Sequence, residues 1–232
     1  MTRAFISFSG GIDSTTLLAH MLAEGYQVTP VFFAYGSKHG AAEEAAARNV
    51  CRHYGVTCPV VDLTGIFDLA CSDSALMARM PDREIPSGDQ GYREPGSLDA
   101  TVVPGRNTLF ASVLLAFAEA EALRTGQQAV IAMGIHAGDH TLYPDCREPF
   151  FTALGNAFDL GTEKRVKTVA PFVRMDKSAI VKRGLELGAP YHLSWSCYKG
   201  GTKACGVCGT CRERLKAFAD AGIADPIEYE AR

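Results

Sequence analysis

FSGGIDSTT, residues 8–16, is the stretch of this sequence that decides its fold. An apolar run of strand type, residues 4–8, leads into it, and an apolar helical stretch, residues 12–24, follows it. The two glycines allow the backbone to approach an anion closely, and the free N–H groups at a helix start attract phosphate. The loop is not a Walker A motif, because the G-x-x-x-x-G-K-[ST] spacing and its lysine are missing. We therefore predict a phosphate-binding strand–loop–helix unit; the alternative is an ordinary capped turn.

Strand and helix patterns alternate along most of the remaining chain. Strands are predicted at 28–33, 56–61 and 129–134, and helices at 40–54 and 107–124. Continuous apolar strands that alternate with helices indicate an α/β fold, in which a doubly wound, mainly parallel sheet is covered on both faces. Ligands bind to such sheets beyond the carboxyl ends of the strands. We expect the functional residues at that edge.

The sequence divides into two predicted parts. Residues 1–190 form the α/β nucleotide-binding domain, and residues 191–232 form a small C-terminal metal-binding region. Residues 79–102 carry three prolines and three glycines with few apolar side chains. A loop of this length is usually functional or disordered. We interpret it as a lid or partner-contacting insert, with a domain linker as the alternative.

Composition and charge exclude several classes of protein. Of the 232 residues, 47% are hydrophobic and 21% charged, which is typical of a globular protein. The net charge of −3 argues against a large nucleic-acid surface. No apolar run is long enough for a membrane span, and the N-terminus lacks the order of a signal peptide. We expect a cytoplasmic protein.

Four of the eight cysteines lie within fifteen residues, with the spacing C-x7-C-x2-C-x2-C: Cys197, Cys205, Cys208 and Cys211. Four thiolates at short, glycine-punctuated spacings are typical of a structural zinc knuckle. An iron–sulfur cluster, a redox pair or unrelated free thiols are the alternatives. Disulfides are not expected, because nothing in the sequence indicates an oxidising compartment. Cys51 and Cys58 are interpreted as small core residues.

Three further motifs follow predicted strands or begin helices. VPGRN, residues 103–107, opens a helix that Asn107 or Thr108 could cap, and its Arg106 is a phosphate clamp or a surface arginine. Residues 134–147 carry two histidines, two aspartates and an arginine, a polarity suited to reading a planar heterocycle. Asp176 is a predicted helix N-cap, and Lys177 is a phosphate contact or a solvated lysine.

Together these motifs closely resemble those of the 7-cyano-7-deazaguanine synthase family, a branch of the PP-loop ATP pyrophosphatases. The resemblance rests on FSGGIDSTT, YGSKH at 35–39, VPGRN, YPDCR at 143–147 and the cysteine segment at 196–211. It implies an adenine nucleotide alpha hydrolase-like fold, ATP, Mg²⁺, one structural Zn²⁺ and a homodimer. It also implies an ATP-dependent C–N ligase of queuosine biosynthesis, which converts 7-carboxy-7-deazaguanine and ammonia to the nitrile through an adenylated carboxylate and an amide.

The resemblance also assigns roles to residues of this chain. The nucleotide-binding candidates are Phe8, Ser9, Gly10, Gly11, Ile12, Asp13, Ser14, Thr15, Thr16, Leu17 and Leu18. The catalytic candidates are Asp13, Ser14, Arg106 and Lys177, and the substrate-binding candidates are Asp139, His140, Tyr143 and Asp145. Asp13 either holds Mg²⁺ or caps the helix. The metal ligands are the four clustered cysteines.

Two departures from the family pattern motivate an alternative acceptor. Ile12 stands where glutamine is common, and HAGDHTL, residues 136–142, replaces a more acidic segment. In this alternative, adenylated 7-carboxy-7-deazaguanine is joined by an amide to a protein or to another amine. A tRNA-modifying PP-loop enzyme is disfavoured by the net charge, and a non-catalytic regulator is disfavoured by the intact loop.

Overall fold

A five-stranded, wholly parallel sheet forms the centre of the protein in a computed structural model, which describes residues 1–70, 73–86, 99–137 and 143–230. The strand order is β3-β2-β1-β4-β5. The strands are β1 (Arg3–Ser7), β2 (Gln27–Ala34), β3 (Val60–Asp62), β4 (Ala129–Ala132) and β5 (Val166–Val169). The order reverses between β1 and β4, and a ligand site is expected at such a switch point. The prediction of a doubly wound α/β fold is confirmed.

Helices cover both faces of this sheet. They are α1 (Ile12–Ala23), α2 (Gly40–Tyr54), α3 (Thr64–Ala70), α4 (Arg106–Thr125), α5 (Glu148–Gly161), α6 (Lys177–Glu186) and α7 (Gly209–Asp220). Short 3₁₀ turns lie at Asp99–Thr101, Pro144–Cys146 and Tyr191–Leu193. None of the helices in the described ranges is long and apolar enough to cross a membrane.

Two hydrophobic cores arise from the two-residue period of the strands. Ala4 and Ile6 of β1 face a core formed with α1, α2, α6 and α7. Phe5, between them, faces the opposite core, which α3, α4 and α5 complete. Successive strand side chains point to opposite faces, so β1, β2, β4 and β5 each contribute to both cores.

The predicted element boundaries agree with the structure except at two strands. β3 covers Val60–Asp62 rather than 56–61, because the chain is still completing the end of α2 at Val56. Gly55 has a φ of +66°, and the Val56 N–H donates to the Cys51 carbonyl at 3.0 Å. Such left-handed closures are a common way for a helix to end. β4 ends at Ala132, two residues before the predicted boundary.

The C-terminal region packs on the α/β unit. Ala217 and Phe218 of α7 lie in the same core as β1. The Trp195 N–H donates to the Gly10 carbonyl at 2.9 Å, which attaches this region to the FSGGIDSTT loop. The division of the chain at residue 190 stays a prediction. Of the predicted insert, residues 87–98 lie outside the described ranges, and Lys38 anchors its first part by donating to the Arg83 carbonyl at 2.7 Å.

Candidate active site

The FSGGIDSTT loop joins β1 to α1 at the carboxyl edge of the sheet. Gly10 has a φ of +74°, and a Cβ atom there would lie 2.5 Å from the Ala47 backbone nitrogen of α2. Gly11 is the N-cap of α1 and receives no side-chain capping bond. Ser9 and Ser14 are joined through their hydroxyls at 3.3 Å. The loop therefore presents backbone N–H groups and two hydroxyls, which are the groups that bind phosphate.

Charged side chains surround the start of α1. The Lys177 Nζ lies 3.5 Å from Asp13 Oδ2 and 3.2 Å from Glu213 Oε2. His136, which is buried, places its Nε2 3.7 Å from the same Asp13 oxygen. The other oxygen, Asp13 Oδ1, is buried and has no hydrogen-bond partner among the described residues. Asp13 lies inside the first turn of α1 and does not cap it.

Lys177 is positioned by the capping of α6. The Ala179 N–H donates to Asp176 Oδ1 at 2.7 Å, so the predicted N-cap is confirmed. Lys177 is then the first residue of the helix, and its ammonium reaches Asp13. Helix α6 packs on α1, and the Thr16 and Tyr191 hydroxyls are hydrogen-bonded at 2.6 Å. The Lys177 side chain is 19% exposed and lines the cavity described below, and its contact with phosphate stays a prediction.

Arg106 is the first residue of α4 and not a surface side chain. It lines the cavity described below, and its Nη1 donates to the Tyr35 hydroxyl at 3.3 Å. Its guanidinium lies over the Tyr35 ring, 5.6 Å from the centroid. The prediction that Asn107 or Thr108 caps this helix was wrong. Gly105 is the N-cap, without a side-chain bond, and the Asn107 amide donates to Cys146 Sγ at 3.5 Å.

One cavity of about 260 Å³ joins these groups. Its lining combines loop residues and Lys177 with aromatic and charged side chains such as Tyr35, His39 and Arg106. The predicted site residues that line it are Phe8, Ser9, Gly11, Ile12, Asp13, Ser14, Arg106, Tyr143 and Lys177. The predicted residues that are buried within α1 instead are Thr15, Thr16, Leu17 and Leu18. Asp145 lies in the Pro144–Cys146 turn, and Asp139 and His140 fall outside the described residues.

Sequence reasoning missed the titratable pair His39 and Glu43. His39 is the N-cap residue of α2, Glu43 lies in its first turn, and both line the cavity. Burial lowers the pKa of His39 to about 4 and raises the pKa of Glu43 to about 8. Their Nε2 and Oε2 atoms lie 3.6 Å apart. The signal was present, since the loop after β2 and the first turn of α2 carry these residues at the carboxyl edge of the sheet.

A second group of lining residues that were missed comes from the C-terminal region. They include Trp195, Ser196, Tyr198, Thr210, Glu213 and Arg214. Arg214 of α7 is only 1% exposed and forms a buried ion pair with Asp225 at 2.7 Å. It also donates to the Ser194 hydroxyl at 2.8 Å. The region predicted as a separate metal knuckle is therefore also one wall of the cavity.

The four clustered cysteines converge on one point. One ligand atom from each lies within 4.8 Å of the others, and all four residues are buried. The Cys205 N–H donates to Cys197 Sγ, and the Cys208 N–H donates to Cys205 Sγ, both at 3.4 Å. Four sulfurs at this spacing, with N–H donors in support, can hold a metal ion. Unrelated free thiols do not describe this arrangement.

The remaining described cysteines behave as predicted from their isolation in the sequence. Cys51 is buried in the core between the sheet and α2, and Cys58 packs against the edge of that core. Cys146 is buried beside the start of α4, where it accepts the bond from Asn107.

Comparison with known proteins identifies the family. The model of the family described as queuosine biosynthesis protein QueC matches residues 3–222. A 7-cyano-7-deazaguanine synthase of Caldicellulosiruptor bescii is 45% identical over 98% of this chain and 97% of its own length. One from Marinomonas is 40% identical over 99% of both chains.

Among solved structures, a 4-thiouridine synthetase–RNA complex with bound ATP superposes with a TM-score of 0.51. It is 18% identical over 98% of this chain and 47% of its own, and this likeness supports the fold alone. The match over nearly the whole sequence, on an α/β fold that carries the phosphate-type loop and the four converging cysteines, shows that the chain belongs to the QueC family of queuosine biosynthesis proteins.

Proposed function

We propose that this protein is an ATP-dependent ligase that converts 7-carboxy-7-deazaguanine and ammonia to 7-cyano-7-deazaguanine for queuosine biosynthesis. The observation that carries the proposal is that a phosphate-type loop and a set of polar and aromatic side chains line the same cavity. Relatives named for this synthase activity align with almost the entire chain and support the same reading. They do not favour the alternative of ligation to a protein amine.

The first half of the reaction activates a carboxylate, which is a poor acceptor for nucleophiles. A carboxylate oxygen of the substrate attacks the α-phosphorus of ATP, and pyrophosphate leaves. The N–H groups of the loop, the hydroxyls of Ser9 and Ser14 and the ammonium of Lys177 are the groups placed to stabilise the charge that develops on the leaving group. The substrate itself is the nucleophile, so no protein nucleophile is needed.

The second half replaces the adenylated oxygen and then dehydrates the product. Ammonia attacks the acyl carbon, AMP leaves and an amide forms. The amide oxygen then attacks a second ATP, and pyrophosphate leaves again. The carbon–nitrogen triple bond forms as the nitrogen loses its two protons and the bond from carbon to the AMP oxygen breaks. Both halves use the same loop, so one nucleotide site is sufficient if it exchanges AMP for ATP between them.

Asp13 is the residue we assign to Mg²⁺. Its Oδ1 is buried and without a hydrogen-bond partner in the described part of the chain, as expected of an oxygen reserved for a cation. Magnesium, when bound, neutralises negative charge on the polyphosphate. Lys177, held between Asp13 and Glu213, contributes a fixed positive charge beside it.

Zinc is the metal we assign to the cysteine cluster. Four thiolates fill a tetrahedral site and leave no position for substrate, so the role is structural. The alternatives are an iron–sulfur cluster and a redox pair. Elemental analysis of protein purified without chelator distinguishes them: one zinc per chain supports the assignment, and iron with acid-labile sulfide contradicts it.

We also propose a cytoplasmic homodimer. The reduced thiols that the cluster needs persist in a reducing compartment, and the dimer follows from the family resemblance alone. Light scattering of the zinc-loaded protein tests the oligomeric state, with a mass of about twice the 24.9 kDa chain as the expected result. A monomer at micromolar concentration contradicts it.

The decisive experiment is product identification by mass spectrometry. Zinc-loaded protein is incubated with ATP, Mg²⁺, ammonium and 7-carboxy-7-deazaguanine, and we expect the nitrile, with two AMP and two pyrophosphate per product. Ammonium labelled with ¹⁵N should place the label in the nitrile. Consumption of ATP that ends in an adenylate or an amide, without nitrile, would overturn the proposal and support transfer to another amine.

A further inference from the structure

Part of the cavity lining, called the pocket here, contains one carboxyl group, from Glu43, and one guanidinium, from Arg106. Glu43 comes from the first turn of α2, and its side chain is 15% exposed. Arg106 comes from the start of α4 and is held over the Tyr35 ring. Although the two residues are far apart in sequence, the charge of Arg106 acts on the Glu43 carboxyl and opposes the effect of burial.

Aromatic rings enclose this pair. The Tyr35 and Phe110 centroids are 5.9 Å apart, and those of His39 and Tyr198 are 5.0 Å apart. All four side chains line the cavity. The rings of each pair are tilted to each other, by 60° and 41°, and each ring offers a face against which a planar heterocycle can pack. The pocket therefore combines stacking surfaces with a donor and an acceptor.

The order of hydrogen-bond donors and acceptors along the base edge distinguishes guanine from adenine, the two bases that the reaction uses. The Watson–Crick edge of guanine offers a carbonyl oxygen at position 6 and N–H donors at positions 1 and 2. Adenine offers an N–H donor at position 6 and an acceptor at position 1, so a carboxylate beside it would face a lone pair. An arginine donates to a carbonyl, and a carboxylate accepts from adjacent N–H groups. With Glu43 ionised, the form that the charge of Arg106 favours, the pair matches guanine.

We propose that Glu43 and Arg106 read the guanine edge of the 7-deazaguanine substrate, Glu43 accepting from its N1–H and 2-amino groups and Arg106 donating to its 6-carbonyl. This inference rests on the proposed function, because the identity of the substrate comes from that proposal. It assigns base recognition to α2 and α4, in addition to the segment around Tyr143.

Binding measurements with two ligands test the proposal. The ligands are 7-carboxy-7-deazaguanine and its analogue without the 2-amino group, titrated by calorimetry into zinc-loaded protein saturated with an ATP analogue that cannot release pyrophosphate. We expect the natural protein to prefer the guanine ligand by about tenfold or more, since a hydrogen bond to a charged group contributes that much. Glu43→Gln should weaken the guanine ligand by about 10- to 100-fold and the analogue by much less.

Two further variants make the test specific. Glu44→Gln is the matched control, because Glu44 is the next residue of α2 and its partner is Arg48, through a 2.7 Å ion pair. It should bind both ligands like the natural protein. Arg106→Met should weaken both ligands equally, since both retain the 6-carbonyl.

Three results would overturn the proposal. Equal weakening of both ligands by Glu43→Gln would show that Glu43 only supports the start of α2 and His39. Unchanged binding together with a raised KM for ammonium would show that Glu43 handles protons of the nucleophile. If Glu43→Gln still prefers the guanine ligand to its analogue as strongly as the natural protein does, Glu43 does not contact the 2-amino group. If the natural protein forms no nitrile in the product assay, the proposed function itself fails, and that outcome is seen independently of these titrations.

Discussion

Asp13, at the start of α1, is the residue around which several charged side chains lie. Its Oδ2 lies near both Lys177 and His136, while its Oδ1 is free of hydrogen bonds among the described residues. The FSGGIDSTT motif locates this carboxylate, but its partners come from the segment that follows β4 and from α6, more than a hundred residues away. The pairing is therefore a tertiary property.

Replacing Asp13 should stop the chemistry without unfolding the protein. Asp13→Asn retains the shape of the side chain and removes its charge, so we expect AMP formation to fall by about 10²- to 10³-fold, the usual cost of losing one transition-state electrostatic contact. The measurement is single-turnover AMP release, with circular dichroism as the folding check. Asp82→Asn, on an exposed turn, is the control. Full activity in Asp13→Asn would contradict the assignment.

The titration of Glu43 should affect the pH dependence of the free energy of unfolding. Burial raises its pKa from 4.5 to about 8, so between these values the folded protein binds a proton that the unfolded chain releases, and stability falls as pH rises. His39, lowered from 6.5 to about 4, acts in the opposite direction, but only below pH 6.5. The other groups that face Glu43 are Arg106 and Tyr35.

We therefore expect the melting temperature of the nucleotide-free protein to decline between pH 6.5 and 8. Glu43→Gln should flatten that decline, because the residue no longer exchanges a proton, whereas Glu44→Gln should retain it. The same decline in Glu43→Gln as in the natural protein would show that another group causes it.

Among the structural elements, the turn from β1 into α1 depends most on close packing. Gly10 brings this turn against the backbone of α2 and also accepts the bond from Trp195. The sequence shows that the backbone is free to adopt unusual angles at a glycine. Only the structure shows that α2 fills the space in which a side chain at Gly10 would lie.

Gly10→Ala should lower the free energy of unfolding several times more than the same change at a glycine with free space around it. The new Cβ would meet the Ala47 nitrogen at 2.5 Å in addition to the strain of a φ of +74°. Gly55→Ala is the control, since Gly55 has a φ of +66° and nothing within 4 Å of a new Cβ. We expect about 1 kcal/mol for Gly55→Ala and about 2–4 kcal/mol for Gly10→Ala in urea denaturation. Equal losses would show that α2 moves aside.

At the scale of the whole molecule, the cysteine region and the α/β unit depend on each other. The cluster lies next to Trp195 and Ser196, which reach the loop and the cavity, and the Arg214–Asp225 ion pair is buried behind them. Loss of the metal should therefore reach the nucleotide site, even though the cysteines take no part in the reaction.

Cys208→Ser should release the metal and lower stability by several kcal/mol, because binding of a structural metal contributes on the order of 10 kcal/mol in small sites. Binding of ATP should weaken as well. Metal content, the melting temperature and an ATP titration are measured on the same sample, and Cys58→Ser, outside the cluster, is the control. Unchanged metal content and melting temperature in Cys208→Ser would show that the cluster is not a metal site.

The sequence by itself determined the features that lie within one continuous stretch. The phosphate-type loop, the parallel α/β architecture and the four cysteines each occupy local patterns, and local spacing fixes how such a segment can fold. The family followed from the same motifs. Wrong predictions were those that depended on neighbours, such as a side-chain cap for α4 and an early start for β3.

Only the tertiary structure decided which distant residues share the cavity and how their charges behave. It placed Glu43 and Arg106 in the lining of one cavity, and Lys177 between Asp13 and Glu213, although each pair is separated by tens of residues or more. It also buried Glu43 and His39 and so shifted their pKa values in opposite directions. The desolvation and the electrostatic interactions that shift a pKa depend on all the elements packed around the group. The linear sequence does not show which elements these are.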